Sequence, residues 1–354
     1  MIIDTCQIFS YDLELNRPLY VQGKSVNKRE GLLLKLTVEG ISGYGDIAPL
    51  HGVSKERIED ALKELKKLQA TLPDTEIPEN LINLDGGFEK WLSNYNLSSS
   101  VQFGVELAIL NLLANVRQCP LSNLISETAY DEIQINGLLQ GNKEEIKSQA
   151  RELIESGFHS LKLKVSNDVE EAIGQILALN PIIDVNQGWD ISKAVHFGHE
   201  IGLSTVDYIE EPFKNLDDIG DFFMKTTIPV ALDETLLEKN IEDFRMIDGC
   251  EILVLKPTLL GGIEKTFQLI QKARGVGLST VISSCYESSI GILALANLAG
   301  ISSRHQGAGL DTLKWFKSDV LTTPIQIKHG KINIENQTLD ESNINYDVLT
   351  EINP

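Results

Sequence analysis

Two lysines separated by one residue are the first candidates for chemistry in this sequence. Lys162 and Lys164 lie in the run Leu-Lys-Leu-Lys-Val at residues 161–165. Strand side chains alternate between faces, so a strand here carries both ammonium groups on one face. A solvated edge strand tolerates that arrangement. The alternative is a site whose acidic groups balance the two positive charges.

Three later apolar runs each end in a carboxylate, and a fourth ends in another lysine. The acids are Asp184, Glu210 and Asp233, and the lysine is Lys256. At the carboxyl ends of parallel strands, three acids would raise one another's pKa unless a cation neutralised them. Oxygen ligands without His or Cys select a hard ion, Mg²⁺ first and Mn²⁺ second. Any one acid could instead cap a helix, but three together with the lysines favour a metal-assisted site.

Removal of a proton next to a carboxylate is the chemistry that suits such a site. A lysine pKa near about 10.4 is too high for a base at neutral pH, whereas a second lysine and a dication both lower it. We therefore expect Lys162 to prepare Lys164 as the base. The enediolate that forms needs concentrated positive charge, which a metal supplies.

Short apolar runs alternate with amphipathic segments after about residue 130, and these must position the site. The step between runs is roughly 20 to 30 residues, which fits one strand–loop–helix–loop unit. Seven or eight such units predict a (β/α)8-type barrel. An open doubly wound sheet is less favoured because it concentrates its site at one switch point, and no GxGxxG or Walker sequence is present. The predicted strands are 133–139, 161–165, 182–185, 206–209, 230–232, 252–255 and 280–283.

The first hundred residues follow a different, α+β pattern. Strands are predicted at 3–15 and 32–38, with a polar segment at 17–30 interpreted as a loop. Ser54 is typical of a helix N-cap, and apolar residues follow it at helical spacing. Residues 103–116 are apolar nearly all round, which predicts a buried helix.

Composition narrows the class of protein. The formal net charge of −20 over 354 residues argues against nucleic-acid binding, which needs a basic face. The four cysteines are scattered, so neither a zinc finger nor a disulfide framework is expected. No basic segment followed by an apolar core opens the sequence, and no apolar run approaches membrane-spanning length, so we expect a cytoplasmic protein without membrane partners.

The order of these motifs resembles the enolase superfamily in its muconate-lactonizing branch. The motifs are Lys-x-Lys at 162–164, Asp-x-Asn at 184–186, Glu-Glu-Pro at 210–212, Asp-Glu at 233–234 and Lys-Pro at 256–257. Within that branch, the runs LKPTLLGG at 255–262 and SSCYESSIG at 283–291 resemble the o-succinylbenzoate synthase family.

The resemblance implies a fold and a division into domains. It implies a modified (β/α)7β TIM-like barrel at 119–322 and an N-terminal α+β capping domain at 1–118. The C-terminal segment, 323–354, would return to complete the capping domain. Two capping-domain loops, 19–25 and 48–52, would close over the substrate and exclude water.

The resemblance also implies a reaction and roles for individual residues. Asp184, Glu210 and Asp233 would ligate Mg²⁺, with Mn²⁺ as a substitute. Lys164 would remove the proton α to the substrate carboxylate and then help the hydroxyl leave from the same face, while Lys256 would stabilise the intermediate from the opposite face. The reaction would be the syn-dehydration of 2-succinyl-6-hydroxy-2,4-cyclohexadiene-1-carboxylate to 2-succinylbenzoate, a carbon–oxygen lyase step in menaquinone biosynthesis.

Further residues are predicted to contact a small anionic carboxylate substrate. The resemblance gives the first lysine of the pair a supporting role, and the others share positions near strand ends, where each could instead cap a loop or make a turn. The candidates are Lys162, Asn186, Gly261, Gly262, Ser284 and Ser288. Glu211, Glu234 and Glu287 are expected to support the fold or the ligands.

Two alternatives remain open at this stage. An N-succinylamino acid racemase or a dipeptide epimerase on the same scaffold would also use two lysines on opposite faces. Dipeptide epimerases usually carry Asp-x-Asp near the last barrel strands, where this sequence reads Ser-Ser-Cys-Tyr at 283–286. A non-catalytic barrel that binds a small carboxylate would lack a ligand or a lysine, whereas all five positions are filled.

Overall fold

An antiparallel sheet forms the N-terminal part of the chain in the computed structural model. The described residues are 1–21, 24–126, 128–165, 168, 171–172, 182–202, 206–237, 247–302, 306–335 and 337–353. Strands β1 (Thr5–Val21), β2 (Lys24–Val38) and β3 (Ile41–Ile47) pair in sequence order. Pairing of β1 with β2 continues through Leu19, Tyr20 and Val21. The loop predicted at 17–30 is therefore wrong, because polar side chains do not prevent backbone pairing on an exposed hairpin.

Four helices follow this sheet in the chain. They are α1 (Ile58–Thr71), α2 (Gly87–Leu92), α3 (Ser99–Arg117) and α4 (Leu121–Ile125), with a 3-10 turn at Glu79–Asn83. Of these, α1 and α3 pack against the sheet. Helix α3 is buried over most of its length, as its apolar pattern predicts. It is also long and apolar enough to cross a membrane, so the expectation that no apolar run approaches that length is wrong. The buried core helix of a soluble protein passes the same test. The predicted cap at Ser54 is wrong: α1 begins at Ile58, and the Ser54 hydroxyl instead accepts the N–H of Leu50 at 2.9 Å.

In the described part of the chain, seven parallel strands follow in chain order and form one sheet. In order they are β5 (Asn136–Leu139), β6 (Ser160–Lys164), β7 (Ile182–Asp184), β8 (Ile209–Glu210), β9 (Val230–Leu232), β10 (Cys250–Leu255) and β11 (Ser279–Ile282). The described helices between and after them are α5 (Lys143–Glu155), α6 (Ile191–Ile201), α7 (Asp217–Thr226), α8 (Pro257–Leu260), α9 (Ile263–Gly275) and α10 (Ser289–Ala299).

A short segment after α10 closes the sheet into a barrel. Ala308 bridges Ile135 beside β5, and Gly309 bridges Ser283 at the end of β11, both in parallel. The N–H of Gly309 donates to the carbonyl of Ile282 at 2.8 Å. The two edges of the sheet are thereby joined, so the modified (β/α)7β barrel is confirmed and the open doubly wound sheet is wrong.

The C-terminal residues return to both parts of the fold. Strand β12 (Lys331–Asn333) pairs with β4 (Glu132–Gln134), which precedes the barrel sheet. Strand β13 (Leu349–Ile352) pairs with β1 in the antiparallel sheet. Short 3-10 turns lie at Leu313–Trp315, Glu341–Asn343 and Tyr346–Val348. The boundaries at 118 and 322 stay predictions.

Candidate active site

Strand β6 presents its two lysines to the inside of the barrel. Leu161 and Leu163 are buried on its other face, as alternation requires. The Lys162 side chain is only 10% exposed, whereas that of Lys164, one step nearer the carboxyl end, is 43% exposed. The same strand therefore supplies one buried ammonium group and one that reaches the opening of the barrel.

Strand register brings the acids beside these lysines. Lys164 is paired with Asp184 across β6 and β7, and Asp184 with Glu210 across β7 and β8. Asp233 directly follows β9, and Lys256 directly follows β10. Carboxyl ends of parallel barrel strands meet at one mouth, so all five charged groups lie at the same end.

Ion pairs connect the charged groups across the barrel. The Lys162 ammonium lies 2.5 Å from Glu210 Oε2 and 3.3 Å from Asp184 Oδ2. Lys164 Nζ lies 3.7 Å from Asp184 Oδ2, and the Lys256 ammonium forms an ion pair with Asp233 Oδ2. Asp184 thus contacts both lysines of β6 and stands at the centre of the arrangement.

These contacts shift the pKa values in opposite directions. Burial lowers the pKa of Lys162, but the attraction of Asp184 and Glu210 outweighs it, so the pKa is raised and the ammonium stays charged. Burial alone would raise the pKa of Asp184, but Lys162 and Lys164 lower it to about 2. Burial and the neighbouring Asp184 raise the pKa of Glu210. The carboxyl of Glu210 therefore ionises less readily than that of Asp184.

Two carboxylate oxygens in this cluster have no hydrogen-bond partner among the residues that the structure describes. They are Asp184 Oδ1 and Glu210 Oε1, and both are buried. Buried polar atoms are nearly always satisfied, so a missing partner indicates a ligand such as an ion. The oxygen-only donor set fits a hard divalent cation. Among the described residues, no three potential ligands are already gathered around one point, because Lys162 and Lys256 hold the acids through ion pairs.

Glu211 fixes the loop that carries the third acid. It is fully buried with a φ of 45°, which is uncommon for a residue with a side chain. Its carboxylate accepts the Asp233 N–H at 2.6 Å, the Gln187 amide at 3.0 Å and the hydroxyl of Thr235. Glu211 therefore ties the ends of β7, β8 and β9 together. Asn186 is held nearby, because its side-chain amide donates to Glu234 Oε1 at 3.0 Å.

A cavity opens above the charged cluster. Ser284 lines it together with Asp311 and Thr312, which the sequence reasoning missed, and its hydroxyl lies 3.0 Å from that of Thr312. Asp311 accepts the N–H of Leu138 at 3.0 Å and pairs with Lys314. The missed pair follows the barrel-closing segment, whose two bridging residues are too few for a strand pattern. The charged lining residues are Lys162, Lys164, Asp184, Lys256 and Asp311.

Asn186, whose amide is held by Glu234, does not line this cavity, and its role in substrate binding stays a prediction. Three further predicted binding residues also lie outside the lining. Ser288 donates through its N–H and its hydroxyl to Asp46 Oδ2 of β3, at 2.9 and 2.8 Å. Gly261 and Gly262 have φ values of 100° and 116°, and a Cβ on Gly262 would lie 2.6 Å from Glu106 Oε2 of α3. These positions join the barrel to the N-terminal domain, and their roles in substrate binding stay predictions.

Two family models match this chain. Residues 145–338 match the model described as Enolase C-terminal domain-like. Residues 3–112 match the model of the MenC N-terminal domain. The two matches fall on the barrel and on the N-terminal α+β part respectively.

Curated relatives align over most of the chain. The o-succinylbenzoate synthase of Aliivibrio salmonicida is 29% identical over 334 residues, covering 90% of this chain and 93% of that protein. The synthase of Haemophilus influenzae is 27% identical and covers 89% and 91%. Protein PHYLLO, chloroplastic, of Arabidopsis thaliana is 29% identical over 91% of this chain, which spans only 22% of that longer protein.

Solved structures share the whole architecture at low sequence identity. The N-succinyl Arg/Lys racemase from Bacillus cereus superposes with a TM-score of 0.86 at 21% identity, over 100% of both chains. The L-Ala-D/L-Glu epimerase from Bacillus subtilis gives 0.84 at 19% identity, over 97% and 99%. A dipeptide epimerase from Cytophaga hutchinsonii, complexed with Mg and a dipeptide, gives 0.83 at 19% identity, over 99% of each chain. These likenesses establish the fold.

Proposed function

The chain belongs to the enolase C-terminal domain-like family, and from that premise we propose that it is an o-succinylbenzoate synthase. It would dehydrate 2-succinyl-6-hydroxy-2,4-cyclohexadiene-1-carboxylate to 2-succinylbenzoate. The observation that carries the proposal is one cavity lined by Lys164 and Lys256, with Asp184 beside them. The match of residues 3–112 to the MenC N-terminal domain and the synthase relatives support this substrate.

The acids would hold a divalent cation, Mg²⁺ first and Mn²⁺ as a substitute. Asp184 and Glu210 each have one buried oxygen without a partner, and Asp233 completes an oxygen-only set. A related epimerase structure contains Mg. When bound, the cation supplies positive charge that makes the proton on the carbon next to the substrate carboxylate easier to remove.

The lysines would carry the proton transfers. Lys164 is the more exposed lysine of β6 and would take the α-proton on its Nζ. When the carbon–oxygen bond breaks, the same ammonium would return a proton to the departing hydroxide, which leaves as water. Lys256 would contribute positive charge from the other side, and Lys162, held charged by Asp184 and Glu210, would help to bind the substrate carboxylate.

The proposed substrate is a small dianion, and the protein itself carries a net charge of −20. Attraction must therefore come from the lysines that line the cavity rather than from the overall field of the protein. We also propose a cytoplasmic location without nucleic-acid or membrane partners.

Racemisation or epimerisation is the second candidate. It is favoured by the likeness to the N-succinyl Arg/Lys racemase over the full length of both chains. The two lysines in the cavity suit both reactions, because a racemase needs a proton donor and a proton acceptor on opposite faces of the substrate. The substrate therefore has to be decided by assay.

The deciding experiment supplies the purified protein with Mg²⁺ and the cyclohexadiene carboxylate and follows loss of the substrate by absorbance. We expect rapid conversion that chelator abolishes and that Lys164→Ala lowers by at least about a thousandfold, because the general base is lost. Lys63→Ala, on the exposed surface of α1, is the matched control and should retain full activity.

Other outcomes distinguish the alternatives. If the wild type leaves the cyclohexadiene unchanged but exchanges the α-proton of N-succinylamino acids or dipeptides in D₂O, the function moves to racemisation or epimerisation. If it does neither, the substrate assignment fails, and the non-catalytic carboxylate-binding barrel is then tested by direct binding of a small carboxylate.

A further inference from the structure

Arg29 of β2 is a buried arginine whose partners are backbone carbonyls. The residue is 3% exposed, although arginine is almost never fully buried unless it is paired. The guanidinium has five N–H donors in a fixed plane, and here Nε and both terminal nitrogens donate hydrogen bonds. The acceptors are the carbonyls of Glu30 at 3.2 Å, Pro49 at 2.9 Å, Cys285 at 3.3 Å, Tyr286 at 3.1 Å, and Ala48.

These carbonyls belong to two different parts of the molecule. Ala48 and Pro49 follow β3 and begin the predicted closing loop at 48–52. Cys285 and Tyr286 follow β11 at the mouth of the barrel, and the Tyr286 side chain lines the cavity. One guanidinium therefore joins the N-terminal domain to the cavity wall.

The wall segment needs such support because its backbone is strained. Tyr286 has a φ of 62°, a conformation that bulky residues rarely adopt. The Glu287 carboxylate accepts the N–H of Cys285 at 2.7 Å and fixes the donor side of this turn. Arg29 donates to the carbonyls of Cys285 and Tyr286 and so fixes the acceptor groups of the same turn. In this conformation the Tyr286 ring packs edge-on against Trp315, with centroids 6.1 Å apart.

We propose that Arg29 is a positioning residue that holds the Ser284–Tyr286 wall of the cavity in its substrate-binding shape. The proposal rests on the proposed function only for the choice of substrate. Arg29 lines neither the cavity nor the lysine and acid cluster. Its loss therefore affects how well substrate is held more than proton transfer, which depends on residues fixed by barrel strand register.

Arg29→Lys is the informative variant, because it keeps the charge and the alkyl stem. An ammonium is a point charge with three donors and cannot reproduce the planar fork that reaches both segments. Arg117→Lys, at the exposed end of α3, is the matched control. We expect Arg29→Lys to raise KM about tenfold or more and to leave kcat within about threefold. The control should change neither constant.

A second measurement needs no substrate. Hydrogen exchange of the backbone amides at 284–288 should be about tenfold faster or more in Arg29→Lys, because the turn opens locally more often. Exchange in α6, which packs beside α7 on the outside of the barrel, should be unchanged. Both readings are taken on protein with a wild-type far-ultraviolet circular dichroism spectrum. Arg29→Gln, which loses the charge but keeps a planar donor, replaces the lysine variant if that one fails to fold.

The outcomes separate the two ideas. Unchanged exchange at 284–288 together with an unchanged KM overturns the positioning role. A fall in kcat alone, in proportion to a loss of folded protein, also overturns it, because a merely structural role predicts that result. If the wild type does not dehydrate the cyclohexadiene, the proposed function fails, and exchange at 284–288 still decides the role of Arg29.

Discussion

Glu106 is a buried carboxylate that crosses from α3 to the first turn of the barrel helix α9. Its Oε2 accepts the N–H groups of Ile263 at 2.6 Å and Glu264 at 2.9 Å, and its Oε1 accepts the Gln102 amide at 2.6 Å. Burial raises its pKa to about 8, although these three donors favour the ionised form. We therefore expect the joint between the two domains to weaken as this group ionises.

The size and sign of the effect follow from proton linkage. A carboxyl with a raised pKa binds its proton more tightly in the folded state than in the unfolded chain. The stabilisation is fully present below the ordinary pKa of 4.5 and is lost as the pH rises through the folded value of about 8. A difference of about 3.5 units, at about 1.4 kcal/mol per unit, corresponds to about 5 kcal/mol.

Glu106→Gln removes the titration and keeps the shape. Its single amide oxygen can accept both backbone N–H groups of α9, and the Gln102 amide can rotate to accept from the new NH₂ group. Between pH 5 and pH 9, which covers most but not all of this interval, the wild-type free energy of unfolding should fall by about 4 kcal/mol more than that of the variant. Urea denaturation at the two pH values measures this, and Glu155→Gln on the exposed face of α5 controls for the loss of one carboxylate.

Parallel pH profiles for the wild type and Glu106→Gln would refute the reasoning, because they would mean that the Glu106 carboxylate is as easily ionised in the folded protein as in water. A variant that is less stable by the same amount at every pH would show that the hydrogen bonds to α9, rather than the charge, dominate at this joint.

Two further predictions concern the proposed metal site and the domain joint. In Glu211→Gln, the side chain has one acceptor oxygen in place of two, so it cannot hold the Asp233 N–H, the Thr235 hydroxyl and the Gln187 amide together. Calorimetric titration should therefore show a Mg²⁺ affinity about 10- to 100-fold weaker than that of the wild type. An unchanged affinity would contradict this prediction. Gly262→Ala places a Cβ 2.6 Å from the Glu106 carboxylate, at a φ of 116°. Urea denaturation should show that the free energy of unfolding falls by about 1–3 kcal/mol. An unchanged free energy of unfolding would mean that α3 can move away freely.

Much of the barrel and of the charged cluster is predictable from sequence because both depend on short periods. Alternation with period two places Lys162 and Lys164 on one face, and a repeat of roughly 20 to 30 residues predicts parallel strands whose ends meet. The structure places Lys164 and Asp184 opposite one another in register. The ligand and catalytic roles of these residues stay predictions, because strand geometry alone does not reveal them.

Contacts between distant segments are what the sequence does not reveal. Ser288 could be predicted to cap α10, but its hydroxyl binds Asp46, which is 242 residues earlier in the chain. Gly262 could be predicted as a turn, but it also makes room for Glu106. Periodicity within a short stretch of sequence does not reveal partners that lie far away in the chain. Asp311 was missed for a related reason, since it follows a closing segment that makes only isolated bridges.

Contacts between neighbouring strands and contacts between distant segments hold different parts of the site. Lys162, Asp184 and Glu210 are fixed to one another by neighbouring strands, so their ion pairs persist as long as the barrel is folded. The wall at Ser284 and Tyr286 depends instead on Arg29, which reaches it from the other domain. Changes on the N-terminal domain can therefore reshape the cavity without disturbing the lysines and acids.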